Sequence, residues 1–304
     1  DDVRGGVDQE DLVSVDDPQA RHAAGSRGVA PGGLAAVAAT RRVGQATVLR
    51  DFYKEGFGCL ERSHEMAKRH PERFIVNGSF DPRDGEKALE YIHWMKETFD
   101  IKGVKMYTAE WNGGSKGWAL NDPAAYKCFE LCDKLGIRNI HVHKGPTIIP
   151  LSKDAFSVDD VDYAATDFQN LNWIVEHCGL PRLDDFCWIA TQETNVYAGL
   201  AVAMPFIHSR PRYFGEVMAE LLWWVGEDKI LFGSDYAIWT PQWLVEKFWN
   251  YQIPEDISAE RSGVQLTDAI KEKILGLNAA KLYDVDVEAM KTQLAGAPVQ
   301  IAAE

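Results

Sequence analysis

Cysteine is scarce and scattered: Cys59, Cys128, Cys132, Cys178 and Cys187 are the five in 304 residues. Their odd number and the lack of any Cys-x-x-Cys spacing speak against a disulfide framework and point to reduced thiols in a cytoplasmic protein. Cys128 and Cys132 share a helix face, where packing in the core outweighs a metal role. No apolar run reaches the ~20 residues that a membrane helix needs. The first residues lack the basic-then-apolar pattern of a signal peptide. Positive charge is also short: 32 Lys and Arg stand against 46 Asp and Glu, a formal net charge of −14. Contact with phosphates or an anionic bilayer needs clustered Lys and Arg, so neither nucleic acid nor membrane is an expected partner. Gly-x-Gly-x-x-Gly and Gly-x-x-x-x-Gly-Lys-Ser loops are both missing, which removes the simplest phosphate-binding readings.

What is present is a chain rich enough in apolar residues (46%) and aromatic residues (11%) to bury a large core. Short apolar runs read as strands at 74–80, 101–107, 138–143, 172–177, 195–201 and 230–235, with weaker ones near 12–16 and 45–49. Between them lie helical patterns at 58–70, 85–98, 160–169, 182–192, 213–225 and 267–276. A further helix begins at Asn121-Asp122-Pro123, where Asp122 suits the N-cap and Pro123 the first turn, and runs to Leu135. Another begins at Thr240-Pro241, and 277–283 forms a closing segment. Strict alternation of this kind predicts an α/β fold, a (β/α)8 TIM barrel whose first βα units are atypical or incomplete. An open doubly wound sheet is the alternative. Residues 1–45 stand apart: Gly25, Gly28, Gly32, Gly33 and Pro31 disfavour helix, and no period is visible. The expected division is an atypical, poorly ordered segment over 1–45 with a strand-one remnant, a barrel over 46–290, and a tail over 291–304.

Chemistry gathers at the ends of strands. His141 and His143 are two apart on one strand and so point to the same face. His143, His177 and Asp235 each close a strand. One βα unit takes ~30 residues or more, so room for one unit separates His143 from His177, and room for two separates His177 from Asp235. That places them on strands five, six and eight of a barrel, whose C-terminal ends converge on one site. Imidazole plus carboxylate is a plausible shell for Zn²⁺, Mn²⁺ or Fe²⁺.

Several motifs carry a resemblance. They are Arg73-Phe-Ile with Asp81-Pro-Arg, Gly103-Val-Lys, His141-Val-His143-Lys-Gly, Val175-Glu-His177-Cys-Gly, Phe232-Gly-Ser-Asp235-Tyr, and Ile274-Leu-Gly-Leu-Asn-Ala-Ala-Lys-Leu-Tyr283. From Ala46 to Val285 the chain resembles the amidohydrolase-related family of metal-dependent (β/α)8 barrels. The branch it looks most like contains aminocarboxymuconate semialdehyde decarboxylase and other aromatic-acid decarboxylases. The resemblance implies that His143 is a metal ligand, that His177 is a ligand or an acid/base, and that Asp235 binds metal and accepts a proton. It implies an enzyme that hydrolyses or non-oxidatively decarboxylates a small carboxylated substrate, through a metal-bound water and His/Asp acid–base groups. The divalent metal would be Zn²⁺, with Mn²⁺ or Fe²⁺ as alternatives. It also implies a homodimer, or a hetero-oligomer with a paralogue.

The chain departs from the family on strand one. Val13-Ser-Val-Asp16-Asp17 resembles the lead-in to a histidine-containing ligand pair, but Pro18 stands where a ligand is expected, and His22 is too far along to replace it. Asp16 is a substitute donor. The departure points to a shortened or shifted segment before Ala46, or to a catalytically impaired subunit supporting an active paralogue. A third reading is a dinuclear iron or mixed-metal oxygenase, with Glu110 as the bridging carboxylate. Lys105, on strand four, and His141 are further candidates for the metal or for the shell around its ligands. Lys144, Arg182, His208, Arg210 and Arg212 fall in loops on the expected catalytic face, where they could hold a substrate carboxylate. Trp111, Trp118 and Trp239 are candidate pocket walls.

Overall fold

The computed structural model describes residues 42–45, 49, 58–147, 150–236 and 238–295. The expected strand near 12–16, with Asp16, Asp17, Pro18 and His22, lies outside the described residues, as do the remainder of the atypical segment before Arg42 and most of the tail. Strand β1 (Arg42–Gln45) is followed by helix α1 (Leu60–Arg69), then β2 (Phe74–Asn77), α2 (Glu86–Phe99), β3 (Gly103–Met106) and α3 (Pro123–Lys134). Next come β4 (Asn139–His143), α4 (Asp159–Asp167), β5 (Asn172–Glu176), α5 (Leu183–Gln192), β6 (Val196–Gly199), the short α6 (Phe206–Ser209) and α7 (Pro211–Trp224). The chain closes with β7 (Ile230–Leu231), α8 (Pro241–Trp249), α9 (Glu255–Glu260), α10 (Asp268–Glu272), a π turn (Lys273–Leu277), α11 (Asn278–Leu282) and α12 (Val287–Ala295).

All pairings between strands are parallel and follow chain order. β1 pairs with β2, and β3 through β7 form a continuous five-stranded sheet. One bridge joins the two sheets: the Gly78 amide donates to the Gly103 carbonyl at 3.0 Å, and the Lys105 amide donates to the Gly78 carbonyl at 2.8 Å. Gly78 and Gly103 are needed at this seam, because a β-carbon on Gly103 would lie 2.4 Å from the Asn139 carbonyl oxygen. Seven parallel strands in sequence order, each followed by helix, are the arrangement of a TIM barrel. Among the described residues the barrel is not closed, since β1 and β7 each keep one unpaired edge.

Strands flanked by helices on one side and a packed interior on the other are buried on both faces. Every residue of β3 and β4 is buried accordingly. Outward-facing Val104, Ile140, Val142, Trp173 and Val175 belong to the main apolar core with Ile92, Met95, Phe129 and Phe186 from the helices. Helix α2 presents Ala88, Ile92 and Met95 to that core, the i, i+4, i+7 spacing of a buried stripe. Phe129 of α3 meets Trp173 of β5 edge-to-face, with ring centroids 4.9 Å apart, a pair worth about 0.5–1.5 kcal/mol beyond its buried area. Cys128 and Cys132 are both buried on this face of α3. The alternate residues point inward, and register sets them side by side: Lys105 is level with His141, and His143 with Glu176.

The strands expected from the sequence are present but shorter, because chain beyond the last paired residue turns at once into loop. The weak strand expected at 45–49 lies earlier, at Arg42–Gln45. Residues 267–283 read as a helix and a separate closing segment; they form one near-continuous path in which a π turn joins α10 to α11. Helices α6, α9 and α12 add to those expected, and each is short or weakly patterned.

Candidate metal centre

Each donor at the mouth of the barrel is placed by a strand end. His143 is the last residue of β4, and Glu176 the last of β5. Beyond Glu176 the backbone turns through three consecutive left-handed residues: His177 at φ 66, Cys178 at φ 53 and Gly179 at φ 66. Non-glycine residues there are strained and persist where surrounding structure holds them, often at functional sites. This turn carries the His177 ring back to His143, with ring centroids 4.3 Å apart. Donor atoms of His143, Glu176 and His177 all lie within 4.8 Å of one another, and all three residues are buried. This is the one such group among the described residues.

The surrounding acceptors favour one assignment of the ring protons. His143 Nε2 lies 3.2 Å from the Gly145 carbonyl, which can only accept, and 3.3 Å from the Tyr107 hydroxyl, which can give its own proton to Thr147 Oγ1 at 3.2 Å; the tautomer that serves the carbonyl carries its proton on Nε2. His177 Nδ1 lies 2.8 Å from the Ala201 carbonyl and carries its proton by the same reasoning. That leaves two lone pairs, on His143 Nδ1 and His177 Nε2, facing each other at 2.9 Å. Burial, the His177 ring and Lys105 push His143 well below its ordinary pKa, and burial with Lys105 pushes His177 down to about 3. Both rings are therefore neutral at pH 7. Two acceptors pointed at each other without a proton repel, and a cation between them removes the conflict. Two nitrogens at ~2.1 Å from one ion and at right angles lie about 3.0 Å apart, close to the spacing found here. The nitrogen, nitrogen and carboxylate donors fit a divalent cation such as Zn²⁺, Mn²⁺ or Fe²⁺.

Glycine makes the approach possible. A β-carbon on Gly145 would sit 2.6 Å from the His177 β-carbon and 3.0 Å from its ring. Gly145→Ala is expected to displace His177 and to lower affinity for a divalent cation about 10- to 100-fold, the usual cost of disturbing the surroundings of a ligand. Titration of the purified variant with Mn²⁺ beside the parent chain checks this.

Lys105 is buried and contacts Glu176 directly. Burial pushes the lysine down to about 7, with Asp235 opposing, and the Glu176 carboxylate in contact holds the ammonium form. His141 is not among the grouped donors; its Nδ1 is 3.1 Å from Glu176 Oε1 and its Nε2 is 2.7 Å from the Tyr283 hydroxyl. On the loop side, Tyr107 stacks on His143 with centroids 4.1 Å apart, and Phe156 lies at 5.1 Å.

The remaining candidates are distributed differently from expectation. Asp235 follows β7 in a left-handed conformation (φ 53), half-buried and outside the donor group. Burial raises its carboxyl, and Lys105 opposes that rise. Glu110 is buried but is likewise not among the grouped donors. Lys144 was expected to be free for substrate; instead it is fully buried, 2.8 Å from Asp160. Arg182 pairs with Asp185 at 2.7 Å and Asp159 at 3.1 Å, and Arg212 pairs with Asp256 at 2.7 Å. These three cations are spent on partners within the chain. His208 is exposed and edge-on to Trp243, Arg210 lies over Tyr213, and Trp239 packs against the core. Trp118 is buried in that core, and Lys116 covers Trp111. Glu176 is the candidate donor that the sequence reading passed over, although it stands in the Val175-Glu-His177 motif at a strand end.

A family model described as Amidohydrolase matches residues 17–285. No curated protein matches the chain. Among solved structures, an uncharacterized TIM-barrel protein from Bordetella bronchiseptica aligns with a TM-score of 0.58 and 17% identity, over 85% of this chain and 81% of that one. A 2,6-dihydroxybenzoate decarboxylase from Rhizobium aligns with a TM-score of 0.55 and 16% identity, over 85% and 82% of the two chains. A dihydroxybenzoic acid decarboxylase from Polaromonas sp. JS666, solved with bound manganese and the inhibitor 2-nitroresorcinol, aligns with a TM-score of 0.53 and 14% identity, over 79% and 77%. These likenesses are of fold.

Proposed function

Because the chain belongs to the amidohydrolase family, we propose that it is a metal-dependent enzyme that non-oxidatively decarboxylates, or hydrolyses, a small carboxylated substrate. The observation that carries this reading is the pair of unprotonated nitrogens facing each other at 2.9 Å beside Glu176. His143 Nδ1, His177 Nε2 and a Glu176 oxygen would hold the ion. When bound, a divalent cation supplies a Lewis acid for substrate oxygens. Tyr107 and Phe156, against His143, give the site an aromatic wall that suits a planar ring. Asp235, with its carboxyl raised by burial, would exchange a proton at its Oδ atoms, the step that loss of carbon dioxide requires at the ring carbon. Lys105 neutralises Glu176 and so limits the negative charge that an anionic substrate meets.

Decarboxylation is favoured over hydrolysis by the aromatic wall and by the activity of the two decarboxylases that share the fold. The experiment is to load the purified chain with Mn²⁺ or Zn²⁺ and offer 2,6-dihydroxybenzoate and related hydroxybenzoates, together with amides and esters of the same acids. Metal-dependent release of carbon dioxide, abolished by a chelator, is the expected result. Release of the amine or alcohol instead would move the assignment to hydrolysis. No turnover of either set by metal-loaded protein would remove the enzymatic reading. The oxygenase reading needs a second donor group, and Glu110 does not form one among the described residues.

A further inference from the structure

Tyr283 comes from the far end of the chain, yet its hydroxyl lies inside the barrel. It ends α11 and is buried. The Asn139 side chain, at the start of β4, donates to the Leu282 carbonyl at 2.9 Å and fixes this segment at the N-terminal mouth of the barrel. From there the Tyr283 hydroxyl reaches His141 Nε2 at 2.7 Å and accepts from Asn77 Nδ2 at 2.7 Å.

The direction of this chain of bonds follows from its charged end. Glu176 can only accept, so His141 presents Nδ1–H to it. His141 Nε2 is then an acceptor, and the Tyr283 hydroxyl must donate its single proton there. Its oxygen is thereby free to accept from Asn77. Gln45 Nε2 lies 3.0 Å from the same Nδ1, with Gln45 Oε1 accepting from Asn77 Nδ2 at 3.2 Å, and favours the opposite tautomer; the Glu176 carboxylate and the Tyr283 hydroxyl together oppose it. In the opposite direction the unprotonated Nδ1 would face a carboxylate. Imidazoles at metal sites are oriented in the same way by the partner of their second nitrogen; here the histidine orients a carboxylate.

We propose that Tyr283 is a positioning residue: its hydroxyl holds His141 in the Nδ1–H tautomer, and His141 thereby fixes the Glu176 carboxylate against the His143–His177 pair. The affinity arm of the test rests on the metal reading above, and the tautomer arm does not.

The test uses the full chain with ¹⁵N-labelled histidine. In the parent protein, long-range ¹H–¹⁵N spectra are expected to show His141 protonated at Nδ1 and unprotonated at Nε2. Tyr283→Phe keeps the ring and removes the hydroxyl; it is expected to lose the single Nδ1–H form and to weaken Mn²⁺ binding about 10-fold. A merely structural tyrosine would lower the melting temperature and leave the His141 tautomer as it was. An Nε2–H tautomer in the parent chain overturns the proposal, and that measurement stands even if the variant does not fold. An unchanged tautomer in a folded Tyr283→Phe also overturns it. If the parent binds no Mn²⁺ but shows the expected tautomer and its loss in the variant, the metal reading fails and the positioning role holds.

Discussion

Metal-free protein is expected to lose at least about 4 kcal/mol of stability between pH 7 and pH 5, most of the margin of a marginally stable domain. The loss comes from His141, His143 and His177. Burial, the largest cause in each, and Lys105 hold all three neutral in the folded chain, His141 and His177 down to about 3 and His143 well below 6.5. In the unfolded chain each titrates near 6.5. Between pH 6.5 and 3 the unfolded state therefore binds more protons, and stability rises with pH and falls with acid. His141 and His177 each contribute about 2 kcal/mol between pH 7 and pH 5, and His143 adds in the same sense. Asp235, raised by burial, works in the opposite sense, but one carboxyl does not offset three imidazoles. Urea melts of chelator-treated protein at pH 7 and pH 5 measure the difference. Equal midpoints would mean that these rings take protons in the folded state, and the lone-pair argument would fall with them.

The second large effect is expected from Glu176→Leu. Lys105 is buried and in contact with Glu176. Removing one partner of a buried pair leaves the other charge unpaired, which costs about 3–5 kcal/mol. In the folded parent chain burial, opposed by Asp235, already holds Lys105 at about 7, and loss of the carboxylate in contact with it pushes it down further. Its unfolded value is about 10.4. Between the two the unfolded chain binds the extra proton, so the variant becomes more stable as pH rises above 7. Changing both residues, Glu176→Leu with Lys105→Met, removes both charges and is expected to recover most of the loss. A double-mutant cycle by denaturant melts gives the coupling directly. A coupling near zero would show that the two side chains do not depend on each other, and would detach Lys105 from the site.

Much of this protein was legible from short-range pattern. Apolar runs set by helices gave the parallel strands, since barrel strands are buried on both faces and read as continuous apolar stretches. His143 and His177 could be read as candidate donors because a strand end in a barrel faces the site whatever the rest of the fold does. Glu176 was hidden by the same logic: it precedes a histidine that already accounted for the motif, and the lysine that balances it comes from a strand far away in the chain. Lys144 looked free because its partner, Asp160, is one of four aspartates in the next segment, and sequence alone does not say which one turns inward. Tyr283 and His141 are joined only by the folded barrel, so no spacing rule connects them. The helix near 267–276 was expected, but not the π turn that carries it on to Tyr283.

The central claim is that two neutral imidazoles and a carboxylate hold one divalent cation at the end of β4 and β5. The direct measurement is calorimetric titration of the chelator-treated chain with Mn²⁺ and with Zn²⁺ at pH 7, beside His143→Ala and His177→Ala. Saturable binding of about one ion per chain is expected for the parent, with at least a 100-fold loss in each variant and little change in its circular dichroism. No binding by the folded parent, or binding that survives both substitutions, would contradict the account.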